Sequence, residues 1–378
     1  MVAPEKAAAD ALIEKAVALH QSAVDAYNEG RAEQAIRLFG RALRLFEKAD
    51  GPDSLDLASI LNDLAAVHEG RCEYARAAAL YKRSVAIIEK VESRIDEMDE
   101  DARRLCVDSL CNLGRINRVL DRYGDAEELF KRALVIARRA FGRRSLDVAG
   151  VLNNLGMLYK FAGRFSKALP LYRRALSIIE TELGADHSFA ASIYHNLGGL
   201  EHARGRYAKG EPYARKSVEI RERALGPGHT EVAADIAALA ALLDGQGKID
   251  EAESLYHRAL EIFEREYGPE HYEIAVNLNN LAAIQQEKGD YAEAERMYLR
   301  ALRIKEKIFG KQNIEVAMTA NNLAVLYKAQ GRYREAKRLY RSALSVFEKR
   351  LAPKHPSMVA CRDNYNSLIK EMGRAGRS

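Results

Sequence analysis

Apolar residues recur at steps of three and four along almost the entire chain, in paired runs separated by a short polar break. That spacing places one apolar stripe on an α-helix. In "NNLAVLYKAQGRYREAKRLYRSAL", Asn321 to Leu344, one run closes at "GRY" and the next begins directly after it. The pattern predicts two antiparallel helices joined by a tight turn.

The same pair recurs. The residue that opens each second helix is Ala32, Tyr74, Tyr123, Phe165, Tyr207, Ile249, Tyr291 and Tyr333, spaced by 42 residues at every step but one, which is 49. Three residues later stand Ala35, Ala77, Ala126, Ala168, Gly210, Ala252, Ala294 and Ala336, and seven later Phe39, Tyr81, Phe130, Tyr172, Ala214, Tyr256, Tyr298 and Tyr340. A methyl group or less at a crossing lets two helices approach closely, while the bulky ring one turn away fills the adjoining space. A fixed period of this kind marks a stack in which each unit buries its apolar face only against its neighbours. Eight units are predicted, at about 14–50, 54–92, 103–141, 145–183, 187–225, 229–267, 271–309 and 313–351, with a lone helix at 355–371 covering the last apolar face.

Smaller features fit this register. The position of Gly331 is glycine in six units, which suits a left-handed turn residue, but Cys72 and Asp121 in the other two. For Cys72 this suggests a register shift of one or two residues around Gly70. Pro170 and Pro212 are expected in the first turn of their helices, where a missing N–H is harmless. His187, His229, His271 and His355, with Asn313 between the last two, lie one repeat apart. Sites on the order of 10 Å apart cannot converge on one metal ion, so these are expected to be turn and cap residues. Seven extra residues fall within Val91–Arg104, a segment with six carboxylates and three arginines. A lengthened helix or a projecting loop is expected there, either solvated or acting as a partner contact or acidic lid.

Charge and chemistry narrow the function classes. The chain has 378 residues, and its 59 Lys and Arg against 54 Asp and Glu leave a formal net charge of +5. The two signs are interspersed, so no nucleic-acid face is expected. No apolar run spans a bilayer and the first twenty residues carry no export signal, which points to a cytoplasmic protein without membrane contact. Cys72, Cys106, Cys111 and Cys361 are too scattered to staple the fold and read as small buried hydrophobes, with Cys111 and Cys361 as candidate exposed thiols. There is no GxxxxGK[ST], HExxH or GxSxG motif, and repetition along an axis spreads like groups apart. No enzyme activity, cofactor or metal is expected. One basic residue recurs on the second helices, at Arg41, Arg83, Arg132, Arg174, Lys216, Arg258 and Arg300, and interleaved acids such as Glu127, Glu211, Glu253 and Glu295 are the expected partners of this stripe, through i,i+4 or between-repeat contacts.

The turn glycine and small-residue ladders resemble the tetratricopeptide repeat. The 42-residue period and the phrase "LNNLAAIQQEKGDYAEAERMYLRALRIKEKIFG" are similar in particular to the longer repeats of the kinesin light chain family. The resemblance covers nearly all of residues 14–370. It implies an all-α, right-handed superhelical α-solenoid of antiparallel helix pairs with a C-terminal capping helix. It does not extend to a heptad coiled coil ahead of the repeats or to an appended effector domain, so a motor role is not expected. The first helices of such repeats line a concave groove, where an asparagine commonly bonds to the main chain of an extended peptide. Carried onto this chain, that position is Asn112, Asn154, Asn196, Asn280, Asn322 and Asn364, interrupted by Asp63 and Ala238. An amide suits this task because it both donates and accepts, although the same amides can equally bond to the next helix pair. One to two turns on stand Glu69, Arg118, Lys160, His202, Asp244, Gln286 and Lys328, with Arg115 and Tyr159 nearby; Glu69 and Asp244 do not favour an anion. Positive charge in the third and fourth units favours an acidic peptide. The expected function is a non-catalytic scaffold binding a peptide or folded partner in the groove. The alternatives are a regulatory protein switched by a small ligand and self-association through the ends of the stack.

Overall fold

The computed structural model describes residues 3–51, 53–351 and 355–375. In chain order the helices are α1 (Ala3–Asn28), α2 (Ala32–Asp50), α3 (Leu55–Gly70), α4 (Tyr74–Val91), α5 (Glu100–Val119), α6 (Tyr123–Phe141), α7 (Leu146–Phe161), α8 (Phe165–Leu183) and α9 (Ser188–Ala203). They continue as α10 (Tyr207–Leu225), α11 (Thr230–Asp244), α12 (Ile249–Tyr267), α13 (Tyr272–Lys288), α14 (Tyr291–Phe309), α15 (Ile314–Ala329), α16 (Tyr333–Arg350) and α17 (Pro356–Ala375). The result is an all-α solenoid of antiparallel pairs, closed by α17 as a final cap. The helices group into two compact units, Met1–Asn196 and Leu197–Ser378, with the boundary inside α9.

The ladders form the core. Ala35, Ala77, Ala126, Ala168, Ala252, Ala294 and Ala336 are fully buried, and beside them Phe39, Tyr81, Phe130, Tyr172, Tyr256, Tyr298 and Tyr340 are buried within their units. Gly210 departs from alanine for a steric reason: a Cβ there would stand 2.6 Å from the Leu242 side chain.

Each turn is made by one residue in the left-handed region. The φ values run from 59° to 84° across Gly30, Cys72, Asp121, Gly163, Gly205, Gly247, Gly289 and Gly331. Around it the chain closes as in "YKFAGR", where the Arg164 N–H donates to the Tyr159 carbonyl at 2.7 Å and the Gly163 N–H to that of Lys160 at 3.1 Å. Cys72 takes this conformation itself, and no register shift occurs around Gly70. Pro170 and Pro212 are each the sixth residue of their helices, beyond the first turn. Their missing N–H groups therefore leave the Ser166 and Ala208 carbonyls without the usual intrahelical donor.

The repeated histidines are helix caps. The Nδ1 atoms of His187, His229, His271 and His355 accept the backbone N–H two residues on at 3.1 to 3.3 Å, and Asn313 Oδ1 does the same for Glu315 at 2.8 Å. The extra seven residues form neither a longer helix nor a projecting loop. A 3-10 turn at Glu92–Glu97 buries Ile95, and Asp99 then caps α5 by accepting from Ala102 N at 2.8 Å. Arg103 donates to the Ile95 and Asp96 carbonyls, and Arg139 grips the Asp96 carboxylate, so the turn is tied down on both sides. Among the cysteines, Cys106 and Cys361 are buried as small hydrophobes and Cys111 is partly buried, so neither Cys111 nor Cys361 is an exposed thiol; Cys72 is exposed, contrary to expectation.

Two sets of polar locks join successive pairs. In the first, a glutamate early in a second helix is held by the next pair. Glu127 accepts from Tyr159 Oη at 2.8 Å and Arg164 at 2.7 Å, and Glu295 from Tyr327 Oη at 2.8 Å and Arg332 at 2.6 Å. Glu211 takes Gln246 at 2.9 Å and Lys248 at 2.8 Å, and Glu253 takes Gln285 and, at 2.5 Å, Lys288. Lys131, within its own helix, and Tyr159 hold the Glu127 carboxyl down at about 2. In the second set the basic stripe pairs with glutamates of the preceding pair: Arg83 with Glu47, Arg132 with Glu89 at 2.8 Å, Arg258 with Glu222 at 2.5 Å and Arg300 with Glu264 at 2.6 Å. The stripe is thus neutralised across repeats, by acids other than Glu127, Glu211, Glu253 and Glu295. Arg174 breaks this series, because the matching position holds Arg138 and the two guanidinium groups repel.

Candidate functional site

The first helix of each pair exposes one face, and the asparagines of the sequence lie on it, each partly buried. Within the first unit Asn196 donates to Asn153 Oδ1 at 2.8 Å, and Asn154 reaches the Cys111 thiol of the preceding pair. Burial pushes that thiol up to about 12. Asn112 accepts from Arg115 at 3.3 Å. In the second unit Asn322 donates to Asn279 Oδ1 at 3.2 Å, and Asn280 bonds the Tyr256 hydroxyl. Asn154, Asn196 and Asn322 therefore form rungs between successive helix pairs. An amide carries two donors and an acceptor with two lone pairs, so each keeps capacity for a further partner.

The basic candidates divide by their partners. Arg115 is bound to Glu69 as well as Asn112. Lys328 donates to Ser367 Oγ at 2.9 Å and pairs with Glu371 at 2.9 Å, both on the closing helix α17. The Tyr159 hydroxyl is occupied by Glu127. Arg118 and Lys160 are different. The Arg118 guanidinium carbon lies 4.7 Å from the centre of the Phe161 ring and Lys160 Nζ lies 5.1 Å from it, while the ring itself is 53% exposed. Neither cation meets a carboxylate among the described residues. Burial pulls the affinity of both for a proton down, and Arg118 lowers that of Lys160 further by repulsion. Two desolvated cations flanking an exposed ring can receive an acidic group beside an apolar one.

Two residues outside the sequence expectation join this face. Gly150 and Phe189 line a cavity of about 220 Å³ with Leu146, Ala149, Asn153, Ile179, Ser192 and Ile193. Leu146 and Phe189 also border a broader depression of about 940 Å³ that contains Arg104, Arg143 and Arg144 together with Asp147 and Glu182. Both signals are present in the sequence. Gly150 stands where other units carry Ser59, Asp108, Ser192, Ala234, Val276 and Met318, and Phe189, 54% exposed, stands where Asp56, Asp147, Glu231, Glu273 and Glu315 open their helices. In the second unit the equivalent position on α11 holds an acid, and burial and the nearby Glu287 raise the Asp244 carboxyl above its ordinary range.

No group of three or more His, Cys, Asp and Glu side chains suited to a metal occurs among the described residues. Nor is any helix there long and apolar enough to cross a membrane. A comparison with curated proteins gives no match. Among solved structures, BtubC (BKLC) from P. vanneervenii is 26% identical, with 61% of this chain and 89% of that one covered at a TM-score of 0.48. A putative kinesin light chain with nearly identical TPR-like repeats from Podosopora anserina is 21% identical over 52% of this chain and 93% of its own, at a TM-score of 0.44. A Rap protein complexed with competence and sporulation factor shares 14% identity over 96% and 99% of the two chains at a TM-score of 0.54, a likeness of fold. The tetratricopeptide repeat profile matches residues 14–90, 105–181, 189–256, 234–307, 273–349 and 315–365. With helix pairs, small-residue ladders and turn residues all in that register, the chain belongs to the tetratricopeptide repeat family.

Proposed function

We propose that this chain is a non-catalytic interaction scaffold that holds a peptide segment of a partner protein along the face of its first helices. An acidic residue of that segment docks at Arg118 and Lys160, and an apolar residue lies against Phe161 or enters the cavity at Gly150 and Phe189. The carrying observation is the pair of half-buried cations that meet no carboxylate beside an exposed aromatic ring. A burial cost left uncompensated within the chain is offset when a ligand supplies the counter-charge. Asn112, Asn154, Asn196, Asn280 and Asn322 add sequence-tolerant contacts to the peptide main chain through the hydrogen-bonding capacity left by their neighbours. Arg115, Tyr159 and Lys328 shape the groove from their existing bonds.

The test is a panel of fluorescent peptides, acidic, neutral and basic, each with and without one aromatic residue, titrated at two salt concentrations. Acidic aromatic peptides are expected to bind best and to weaken with salt. An Arg118→Gln, Lys160→Gln variant loses that preference. A panel in which negative charge makes no difference rules the reading out.

A further inference from the structure

The glutamate locks between pairs have an empty counterpart. At the position of Glu127, Glu211, Glu253 and Glu295 the second pair carries Ala78, whereas Ile36, Leu169 and Lys337 place larger side chains at the remaining positions. The groups that would receive a carboxylate from residue 78 are nevertheless present. Arg122 stands where Arg164, Lys248 and Arg332 stand, and Asn117 stands where Tyr159, Gln285 and Tyr327 stand. A cavity of about 410 Å³ opens here, lined by Ala78 and Lys82 of α4, Leu113 and Asn117 of α5, and Arg122 and Asp125 at the start of α6. This lies within the range of small-molecule sites, about 300–1,000 Å³.

The lining is polar where the lock would be. Asn117 is 7% exposed; its side-chain amide makes no hydrogen bond among the described residues and stays open to the cavity rather than sealed in the core. Arg122, exposed like Lys82 and Asp125, meets no carboxylate among the described residues. Lys82 and Asp125, both exposed and of opposite sign, leave Arg122 as the net charge of the site. The filled locks show the chemistry such a place accepts: in the third pair a carboxylate lies 2.8 Å from a buried donor and 2.7 Å from a cation.

We propose that the cavity at Ala78, Asn117 and Arg122 is a carboxylate-binding socket. Its ligand is a compact acid, either a free dicarboxylate or the side chain of a glutamate or aspartate on a polypeptide. Arg122 supplies the charge-assisted bond and Asn117 Nδ2 the second donor. The socket lies among α4, α5 and α6 and does not rest on the reading of Arg118 and Lys160 given above.

The experiment follows the Asn117 side-chain amide by NMR in the full-length protein during titration with glutarate at constant ionic strength. A parallel arm uses acetyl-Ala-Glu-Ala-amide. A saturable shift of that amide is expected. Arg122→Gln, which keeps the cavity open, weakens binding by about tenfold or more. Ala78→Glu inserts the chain's own carboxylate, abolishes the response and raises the unfolding midpoint. A response to both probes assigns the socket to a polypeptide side chain, and a response to glutarate alone assigns it to a free acid. The proposal is overturned if neither probe moves the Asn117 amide, if Arg122→Gln binds as tightly as the parent, or if Ala78→Glu keeps the response.

Discussion

In the unit that ends at Asn196, Arg118 and Lys160 lie half-buried around Phe161 with no acid beside them among the described residues. In the unit that begins at Leu197, Arg221 and Lys305 are buried more deeply, at 7% and 4% exposure, yet each is held by the next pair. Arg221 bonds Asp235 at 2.6 Å and also reaches Glu231, and Lys305 pairs with Glu315 at 2.9 Å. Both occupy a column that elsewhere reads Phe46, Ile88, Ala137, Ile179, Phe263 and Phe347. The contrast separates two uses of a desolvated cation. When the counter-charge is built into the neighbouring pair, the cation fixes how the pairs fit. When it is left out, as at Arg118 and Lys160, the proposed function has a ligand supply it.

The comparison can be broken at its strongest point. Asp235→Ala leaves Arg221 without its buried acid, with only the exposed Glu231 remaining, and urea unfolding is expected to show a loss of about 3–5 kcal/mol. Replacing both partners, Arg221→Met with Asp235→Leu, is expected to recover most of that loss. If Asp235→Ala is neutral, the second unit does not depend on its buried pair. The opposite outcome is expected for the unpaired cations. Arg118→Gln with Lys160→Gln should reduce acidic-peptide affinity by about 1.5–3 kcal/mol in a direct titration while leaving the unfolding midpoint unchanged or higher. A fall in stability there would mean that the cations are structural after all.

The turns supply a smaller contrast. Every left-handed turn residue between paired helices of the second unit is glycine, whereas the first unit uses Cys72 and Asp121 at two of its turns. Asp121→Gly is expected to relieve backbone strain and stabilise the fold by about 1 kcal/mol, read from the denaturation midpoint. Smallest is the effect expected at Arg138, whose Nε is buried without an acceptor. Arg138→Glu restores a partner for Arg174 of the kind that Glu89 gives Arg132, and a gain of about 0.5 kcal/mol should disappear at high salt.

Much of this architecture was legible in the sequence because the period exposes columns. Tyr333 and its equivalents, Ala336 and its equivalents, and the turn residue at Gly331 each report one packing role repeated along the chain. The histidines could be read as caps because their spacing excluded a shared metal. What escaped was the partner of each charge. Glu127 lies near Arg132 in its own helix and looks like that residue's partner, but the crossing of neighbouring pairs carries Glu127 to Arg164 and Arg132 to Glu89. Helical periodicity describes one helix at a time and holds no information on such crossings. The inserted turn was misread for another reason: a single apolar residue, Ile95, anchors it among many charges. Gly150 and Phe189 were readable only as departures from their columns, and a departure can serve packing, as Gly210 does beneath Leu242, so it points to no role by itself.

The glutamate locks, in the four pairs that carry them, run one way along the chain, from the second helix of a pair to the junction of its successor. Each such interface consequently brings together the same two complementary halves. A block of 42 residues copied or deleted between them meets surfaces that already match. Length is therefore the trait that a gene of this kind can alter with least disruption, and the reach of the scaffold can evolve by duplication before any individual side chain changes.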